Sequence, residues 1–403
     1  MIREGFCDVD DVTRRLFMKA VGPASLLPAL PGIAFAQAAG TAAGPKIIEE
    51  VVPVSPEANA KPKYSIKFAV IGVDHNHILS ITAAMQRGGG QLVSVFSPNP
   101  QYPKALADFQ ARFGGVKVAR SEDEILNDPA IQLVCAAPIP DQRAALGIRV
   151  MRHGKDYLVD KPGIITLEQL AEVRKTIKET GRTYAILFSE RLEVKAAVKA
   201  GELVKAGVIG KVVQTVNLAP HQVNAPTRPD WFWDPARYGG ILCDIGSHQV
   251  DQFLFYTGST VADVTASQVA NVRYPQYPKF QDFGDVMLHG NGGAGYVRVD
   301  WFTPDGLGVW GDGRLFILGT EGYIELRKYA DVAGRKGGNH LFMVDQKAQH
   351  YIDCANVVLP FGPQFVGDVV NRTHIAQDQD ETLLTTELVL KAQKNAKTLT
   401  FTS

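Results

Sequence analysis

Between residues 64 and 189 the chain alternates short runs with continuous apolar cores and segments of helical character, and no other feature restricts its fold as strongly. The runs are "YSIKFAVIG" at 64–72, "QLVSVFSP" at 91–98, "VKVAR" at 116–120, "IQLVCAAPIP" at 131–140, "DYLVDKP" at 156–162 and "TYAILFS" at 183–189. Helical segments fall between them at 77–89, 104–114, 121–129, 141–154 and 166–181. Ser121 with Glu124 three residues on is a capping box, and Gly154 stops the helix before it. A strand exposed on one face alternates apolar and polar residues. These strands do not, so both of their faces must be covered, which predicts a doubly wound parallel sheet of the Rossmann type.

A sheet of this kind binds ligands at the carboxyl ends of its strands, and a dinucleotide site there needs glycines after the first strand. The chain has "GVDHNH" at 72–77. Gly72 fits the first glycine, but Asp74 stands at the second position and His77 at the third. The second glycine lets the backbone approach a pyrophosphate, and a carboxylate at that position repels it unless the side chain turns away. Asp74, His75 and His77 have the donor types of a zinc or iron site. The plainer reading is that they cap the helix and shape a cofactor pocket, so no metal is expected. The acidic residue that holds a ribose in NAD sites is also missing, since "FSPNP" offers only Ser97 and Asn99. That leans slightly to NADP, although no nearby arginine completes the case.

The 403 residues exceed one ordinary core and suggest two domains. Forty-two basic and 42 acidic residues balance, no basic stripe is present, and no nucleic-acid partner is expected. Cys7, Cys135, Cys243 and Cys354 lack metal or redox spacing. At the N-terminus "TRRLFMK" at 13–19 is similar to the twin-arginine export motif, and "AFA" at 34–36 is a small-residue cleavage signal. The apolar stretch between them carries three prolines and two glycines and is too short and broken for a stable membrane span. The reading is a signal peptide over 1–36, a linker or surface arm over 37–62, a Rossmann domain over 63–188 and an α+β domain over 189–403. The C-terminal helices are expected to return to the Rossmann domain. Cleavage after Ala36 removes Cys7 and places the mature protein in the periplasm or outside the cell.

Two stretches carry the chemistry. In "YLVDKPG" at 157–163, Lys161 stands at the carboxyl end of a buried strand, and Pro162 restricts its backbone to an extended form. In "RPDWFWDPARYGGILCDIGSHQVDQFLFYTG" at 228–258, Gly239 and Gly240 open a tight turn. Asp244 and His248 follow, four residues apart and on one face if the turn is helical. The "DKP" feature followed some 80 residues later by "GGILCDIGSHQVD" resembles the Gfo/Idh/MocA family of NAD(P)-dependent oxidoreductases. Further segments agree in order, among them "NDPAIQLVCAAPIP", "AGVIGKVV", "ILGTEGYIEL" and "FVGDVVNRT", and the resemblance spans roughly 64–403. The family's usual tripeptide is Glu-Lys-Pro, so Asp160 is a departure. Where the family often shows Asn and His after the Pro138 position, this chain has "PIPDQR".

The resemblance implies a Rossmann domain followed by a large, mostly antiparallel sheet whose open face joins copies into a homo-oligomer. It implies catalytic roles for Lys161, Asp244 and His248, with His248 as acid/base, Lys161 polarising the reacting oxygen or sharing the proton transfer, and Asp244 orienting His248 or binding a neighbouring hydroxyl. Matching positions imply cofactor contacts from Gly72, Val73, Asp74, His75, Asn76, Ser97, Ala137, Pro138 and Asp160 to a tightly held NAD or NADP. Arg228, Trp231 and Tyr238 in the aromatic loop suit a carbohydrate or polyol, since aromatic faces stack on sugar rings and guanidinium groups bind hydroxyls. The expected activity is oxidation or reduction of a CH–OH group. Two other readings stay open: a glycosidase or lyase that uses its nicotinamide transiently, and a non-catalytic binding protein that kept the fold.

Overall fold

The computed structural model describes residues 46–98 and 104–401; the segment read from the sequence as an export signal, 1–36, and the first part of the expected linker lie outside them. The described chain opens on strand β1 (Ile47–Val51) within the segment read as a linker or arm. Six strands then form one sheet: β2 (Ile66–Val73), β3 (Gly90–Phe96), β4 (Lys117–Val118), β5 (Leu133–Ala137), β6 (Asp156–Asp160) and β7 (Tyr184–Leu187). Their order is β4-β3-β2-β5-β6-β7 and every pairing is parallel. The doubly wound sheet read from the apolar runs is therefore present.

Residues alternate between two separate cores. Ala69, Ile71, Val134, Ala136, Val159 and Ile186 face one; Phe68, Val70, Leu133, Cys135, Leu158 and Leu187 face the other. The last two helices complete both layers. Phe361, Phe365 and Val366 from the helix Phe361–Asn371 enter the second core. Leu388, Val389 and Ala392 from the helix Gln379–Asn395 enter the first.

The remaining strands are β8 (Val212–Pro220), β9 (Ala262–Ala270), β10 (Phe283–Gly290), β11 (Gly293–Asp300), β12 (Arg314–Gly319), β13 (Tyr323–Arg327), β14 (His340–Val344), β15 (Gln349–Asp353) and β16 (Lys397–Thr398). With β1 they make a ten-stranded sheet ordered β1-β15-β14-β13-β12-β8-β11-β10-β9-β16. Most pairings are antiparallel; β1 with β15, β8 with β11 and β9 with β16 run parallel. Here buried and outward-facing positions alternate as on a one-sided sheet; in β13 Ile324 and Leu326 are buried between Tyr323, Glu325 and Arg327. Thr215, Asn217 and Ala219 of β8 are buried, and the helix Gly246–Thr257 lies over them, with Gly295 leaving room for the Phe253 ring. On the outward face Met287 is 53% and Leu318 38% exposed. The buried face and its helix stand against the carboxyl edge of the first sheet, and the site lies between them.

Candidate functional site

The strand order of the first sheet reverses between β2 and β5, and the chain leaves both strands at their carboxyl ends through tight turns. Gly72 has φ +80°, and a Cβ there would stand 2.8 Å from the Cβ of Pro138, so the two loops touch through a glycine. Val73 N donates to Ser97 Oγ at 3.3 Å, which ties the end of β2 to the end of β3. Gly72, Asp74, Ser97 and Pro138 line a cleft of about 260 Å³ along this edge. Val73 and Ala137 are buried beneath it. The cleft suits the adenosine half of a dinucleotide. Arg149 also lines it, held by Glu122 at 2.7 and 3.1 Å. This arginine comes from the helix Pro140–Arg152, and its distance along the chain hid it from a local reading.

Further along the same edge, Asp160 closes β6 at 1% exposure. His77 Nδ1 hydrogen-bonds its Oδ1 at 2.9 Å. His75 Nδ1 lies 2.9 Å from Oδ2, out of line for a hydrogen bond. Burial alone would raise the Asp160 carboxyl, but His77, Arg143 and His75 hold it well below the carboxylate range. Arg143 answers the departure at "PIPDQR". Its guanidinium is 1% exposed, bonds Asp160 Oδ2 at 3.0 Å, and donates to the carbonyls of Pro138 at 2.8 Å, Asp160 at 3.1 Å, Lys161 at 2.6 Å and Pro162 at 3.3 Å. One cation therefore anchors both loops and the turn that presents Lys161, across a cis Lys161–Pro162 peptide. The ligand atoms of His75, His77 and Asp160 fall within 4.8 Å of one another, a donor set able to hold a divalent ion. The Arg143 guanidinium already occupies one of those carboxylate oxygens.

Beside this anchor opens a larger cavity of about 640 Å³ that holds Lys161, Asp244 and His248 together. Gly240, at φ +85°, starts the short helix Ile241–Asp244, and a Cβ there would stand 2.3 Å from the Gln393 carboxamide. Asp244 ends that helix, and His248 lies in the first turn of the helix Gly246–Thr257. Lys161 Nζ donates to Asp244 Oδ1 at 2.8 Å. The expected pairing of Asp244 with His248 is thus replaced by one with Lys161. His248 Nδ1 is buried with no hydrogen-bond partner among the described residues.

Burial would raise the Asp244 carboxyl, but the Lys161 charge and hydrogen bond outweigh it and hold Asp244 below its ordinary value. Burial pushes His248 down to about 3 and His221 and His75 to about 4, so all three are neutral at neutral pH. Glu190 lines the same cavity. Burial opposes its charge, yet Lys328, His248 and His221 together bring it down to about 2. Glu190 is reached through the bidentate pair of Arg191 with Asp251 at 2.6 and 2.8 Å, which ties the helix Ser189–Leu192 to the helix that carries His248.

Of the residues expected to meet substrate, Arg228 and Trp231 line the cavity. Tyr238 does not. It is 1% exposed, stacked on Phe232 and tilted against Phe280 in the aromatic core behind the wall. The Arg228 guanidinium lies over the rings of Phe232 and Trp301 at 4.4 and 5.0 Å. Of the expected cofactor residues, His75 and Asn76 face this cavity rather than the adenosine cleft. Local reading missed Glu190, His221 and Trp301, although each lies just past the end of a strand: β7, β8 and β11. The site has an ammonium paired with a carboxylate, a neutral imidazole beside them and a nucleotide-sized cleft next door. That set suits proton transfer at a hydroxyl or carbonyl.

Residues 66–188 match a family model described as oxidoreductase family, NAD-binding Rossmann fold. Residues 197–325 match the GFO/IDH/MocA C-terminal domain. Scyllo-inositol 2-dehydrogenase (NAD(+)) of Bacillus subtilis strain 168 is 25% identical over 321 residues, which is 72% of this chain and 86% of that protein. A crystal structure of a protein from Erwinia carotovora atroseptica SCRI1043 is 45% identical with a TM-score of 0.80, over 83% of this chain and 100% of that one. Levoglucosan dehydrogenase, solved with NADH and levoglucosan, shares the fold with a TM-score of 0.65 at 17% identity, over 82% of this chain and 98% of that one.

Proposed function

The chain belongs to the Gfo/Idh/MocA oxidoreductases, and from that premise we propose that it interconverts a secondary alcohol of a sugar or polyol with the corresponding ketone, using NAD or NADP. One observation carries this reading: the Lys161–Asp244 pair and His248 share a cavity that adjoins the cleft at the ends of β2, β3 and β5. Gly72, Ser97 and Pro138 would hold the adenosine half of the cofactor, with His75 and Asn76 turned toward its other half. The bound nicotinamide supplies the hydride acceptor or donor. Lys161 binds the reacting oxygen and stabilises negative charge on it. Asp244 keeps that ammonium in place, and neutral His248 takes or returns the hydroxyl proton. β3 ends without a carboxylate, and Arg149, paired with Glu122, lines the cleft there, so both dinucleotides are accepted, with a lean to NADP.

Scyllo-inositol 2-dehydrogenase and levoglucosan dehydrogenase lend the substrate class. Export by the twin-arginine route rests on residues 13–36, and association of copies through the outward face of the ten-stranded sheet rests on its exposed apolar residues. The test begins with mature protein purified without added cofactor. It is denatured, and the released small molecules are identified by mass spectrometry. The refilled protein is then assayed for nicotinamide reduction with scyllo-inositol, D-xylose and levoglucosan. Bound dinucleotide and turnover of a polyol support the reading. Protein that binds neither NAD nor NADP overturns it. Release of nitrophenol from added p-nitrophenyl glycosides without net redox change moves the assignment to a redox-assisted glycosidase or lyase.

A further inference from the structure

The large cavity is lined unevenly. Its catalytic end is buried, with Lys161 5% and His248 2% exposed. Other lining residues stand in the open and mark its mouth: Asn224 and Thr227 are exposed, and so is Trp310, at 44%. The remaining tryptophans, Trp231, Trp233 and Trp301, are 7%, 9% and 4% exposed. An indole left in water forgoes apolar burial, so one held at the edge of a cavity calls for a reason. The Trp310 ring is not loose. It meets the His221 ring edge-on at 4.7 Å between centroids and the Tyr329 ring, tilted, at 4.4 Å. Its backbone is fixed as well: Gln222 N donates to the Trp310 carbonyl at 2.7 Å, and His221 bridges to Gly311. Gln222 Nε2 ties the preceding turn through Asp305 Oδ1 at 2.6 Å. A flat apolar surface is thus preorganised at the same mouth as an exposed amide and an exposed hydroxyl.

We infer that Trp310 is the platform of a second sugar-ring subsite, so that the substrate is a disaccharide or other glycoside whose inner ring reacts while its outer ring stacks on the indole. A sugar ring matches the mouth because it has an apolar C–H face and a rim of hydroxyls, the first for the indole and the second for Asn224 and Thr227. The reacting ring must set its hydroxyl against Lys161 and His248 at the buried end, so the ring on Trp310 is a different one. The cavity, about 640 Å³, lies within the range that receives drug-sized ligands. The inference rests on the redox reading for the inner ring and names what lies beyond it. The reaction at that ring is the hydride and proton transfer given above, and the glycosidic bond stays intact.

Mature protein loaded with NAD would be titrated by calorimetry with D-glucose and D-galactose, and with cellobiose, maltose and lactose, which are built from them. At least one disaccharide should bind about tenfold more tightly than either of its component monosaccharides, since a well-placed tryptophan contributes about that much. Trp310→Ala should bring this ratio to within about threefold of one. Trp310→Leu keeps apolar bulk against His221 and Tyr329 without a flat face and should do the same, which decides the matter if the alanine variant does not fold. A disaccharide gain below about threefold, or a ratio that neither variant alters, overturns the subsite. Disaccharide binding that depends on Trp310 but brings no nicotinamide reduction sinks the redox reading and leaves the subsite standing. Oxidation of monosaccharides with no disaccharide gain does the reverse.

Discussion

Replacing Lys161 with alanine tests whether this buried lysine is structural, catalytic or both. Its side chain is 5% exposed and its ammonium sits 2.8 Å from an Asp244 carboxylate that is 15% exposed. Removing one partner of a buried pair costs about 3–5 kcal/mol, because the other charge remains buried. Asp244 borders the cavity and solvent reaches it, so about 2–3 kcal/mol is the better expectation. With an unfolding entropy of about 2.1 cal/mol/K per residue over roughly 350 ordered residues, that is a fall in melting temperature of about 3–4 °C.

The loss should depend on pH. In the parent protein Asp244 is depressed, so its contribution is present above its unfolded pKa and fades as pH falls through the folded one. In the variant the ammonium is gone and burial takes over, which raises the Asp244 carboxyl. The penalty then persists above the raised pKa and disappears as Asp244 takes up a proton. The stability deficit should therefore be largest near pH 8 and smaller near pH 5. Turnover should fall by about 10²–10⁴ at both. The double variant Lys161→Met with Asp244→Asn leaves no unpaired charge at this position and should regain most of the melting temperature but none of the turnover. Melting curves at the two pH values and nicotinamide-coupled rates decide the matter. A single variant as stable as the parent, or one with turnover within twofold of it, refutes the reasoning.

Acid should unfold the protein partly through its neutral histidines. His248 is pushed down to about 3 and His75 and His221 to about 4, so the folded state refuses protons that the unfolded chain accepts below about 6.5. Stability is complete above that pH and falls as pH drops toward 4. Urea midpoints at pH 7.5 and 5 should show this, and His248→Gln should flatten the slope by up to about 1.4 kcal/mol per pH unit. Arg143→Lys should cost on the order of 2–4 kcal/mol and lower turnover about tenfold, because an ammonium cannot reach the four carbonyls and the carboxylate the guanidinium serves. Thermal melts and rates measured together check it, and a variant matching the parent in both removes Arg143 as the anchor. Arg14→Lys with Arg15→Lys should leave the full-length precursor in the cytoplasm, whereas the parent should yield a mature protein beginning at Gln37. Intact mass of the cell fractions reads this, and an unprocessed parent protein ends the export reading.

What the sequence alone determined was local. Continuous apolar cores in most of the runs required strands covered on both faces, which is why the parallel sheet was legible before any coordinates. Ser121 was legible as a cap, and its hydroxyl indeed accepts from Glu124 N at 3.2 Å. Lys161 was placed at a strand's carboxyl end by the strand's length and the proline after it. What only the tertiary structure decided was which side chains meet. The helical spacing of Asp244 and His248 suggested a pair, but Asp244 pairs instead with Lys161, 83 residues earlier. Tyr238 looked like a binding residue because aromatic loops often are, yet its ring fills the core behind the cavity. Arg143, Arg149 and Glu190 carry no local signature. A long side chain's role depends on where its tip ends, and that is set by helix packing and strand order across the whole chain, which no window of neighbouring residues contains.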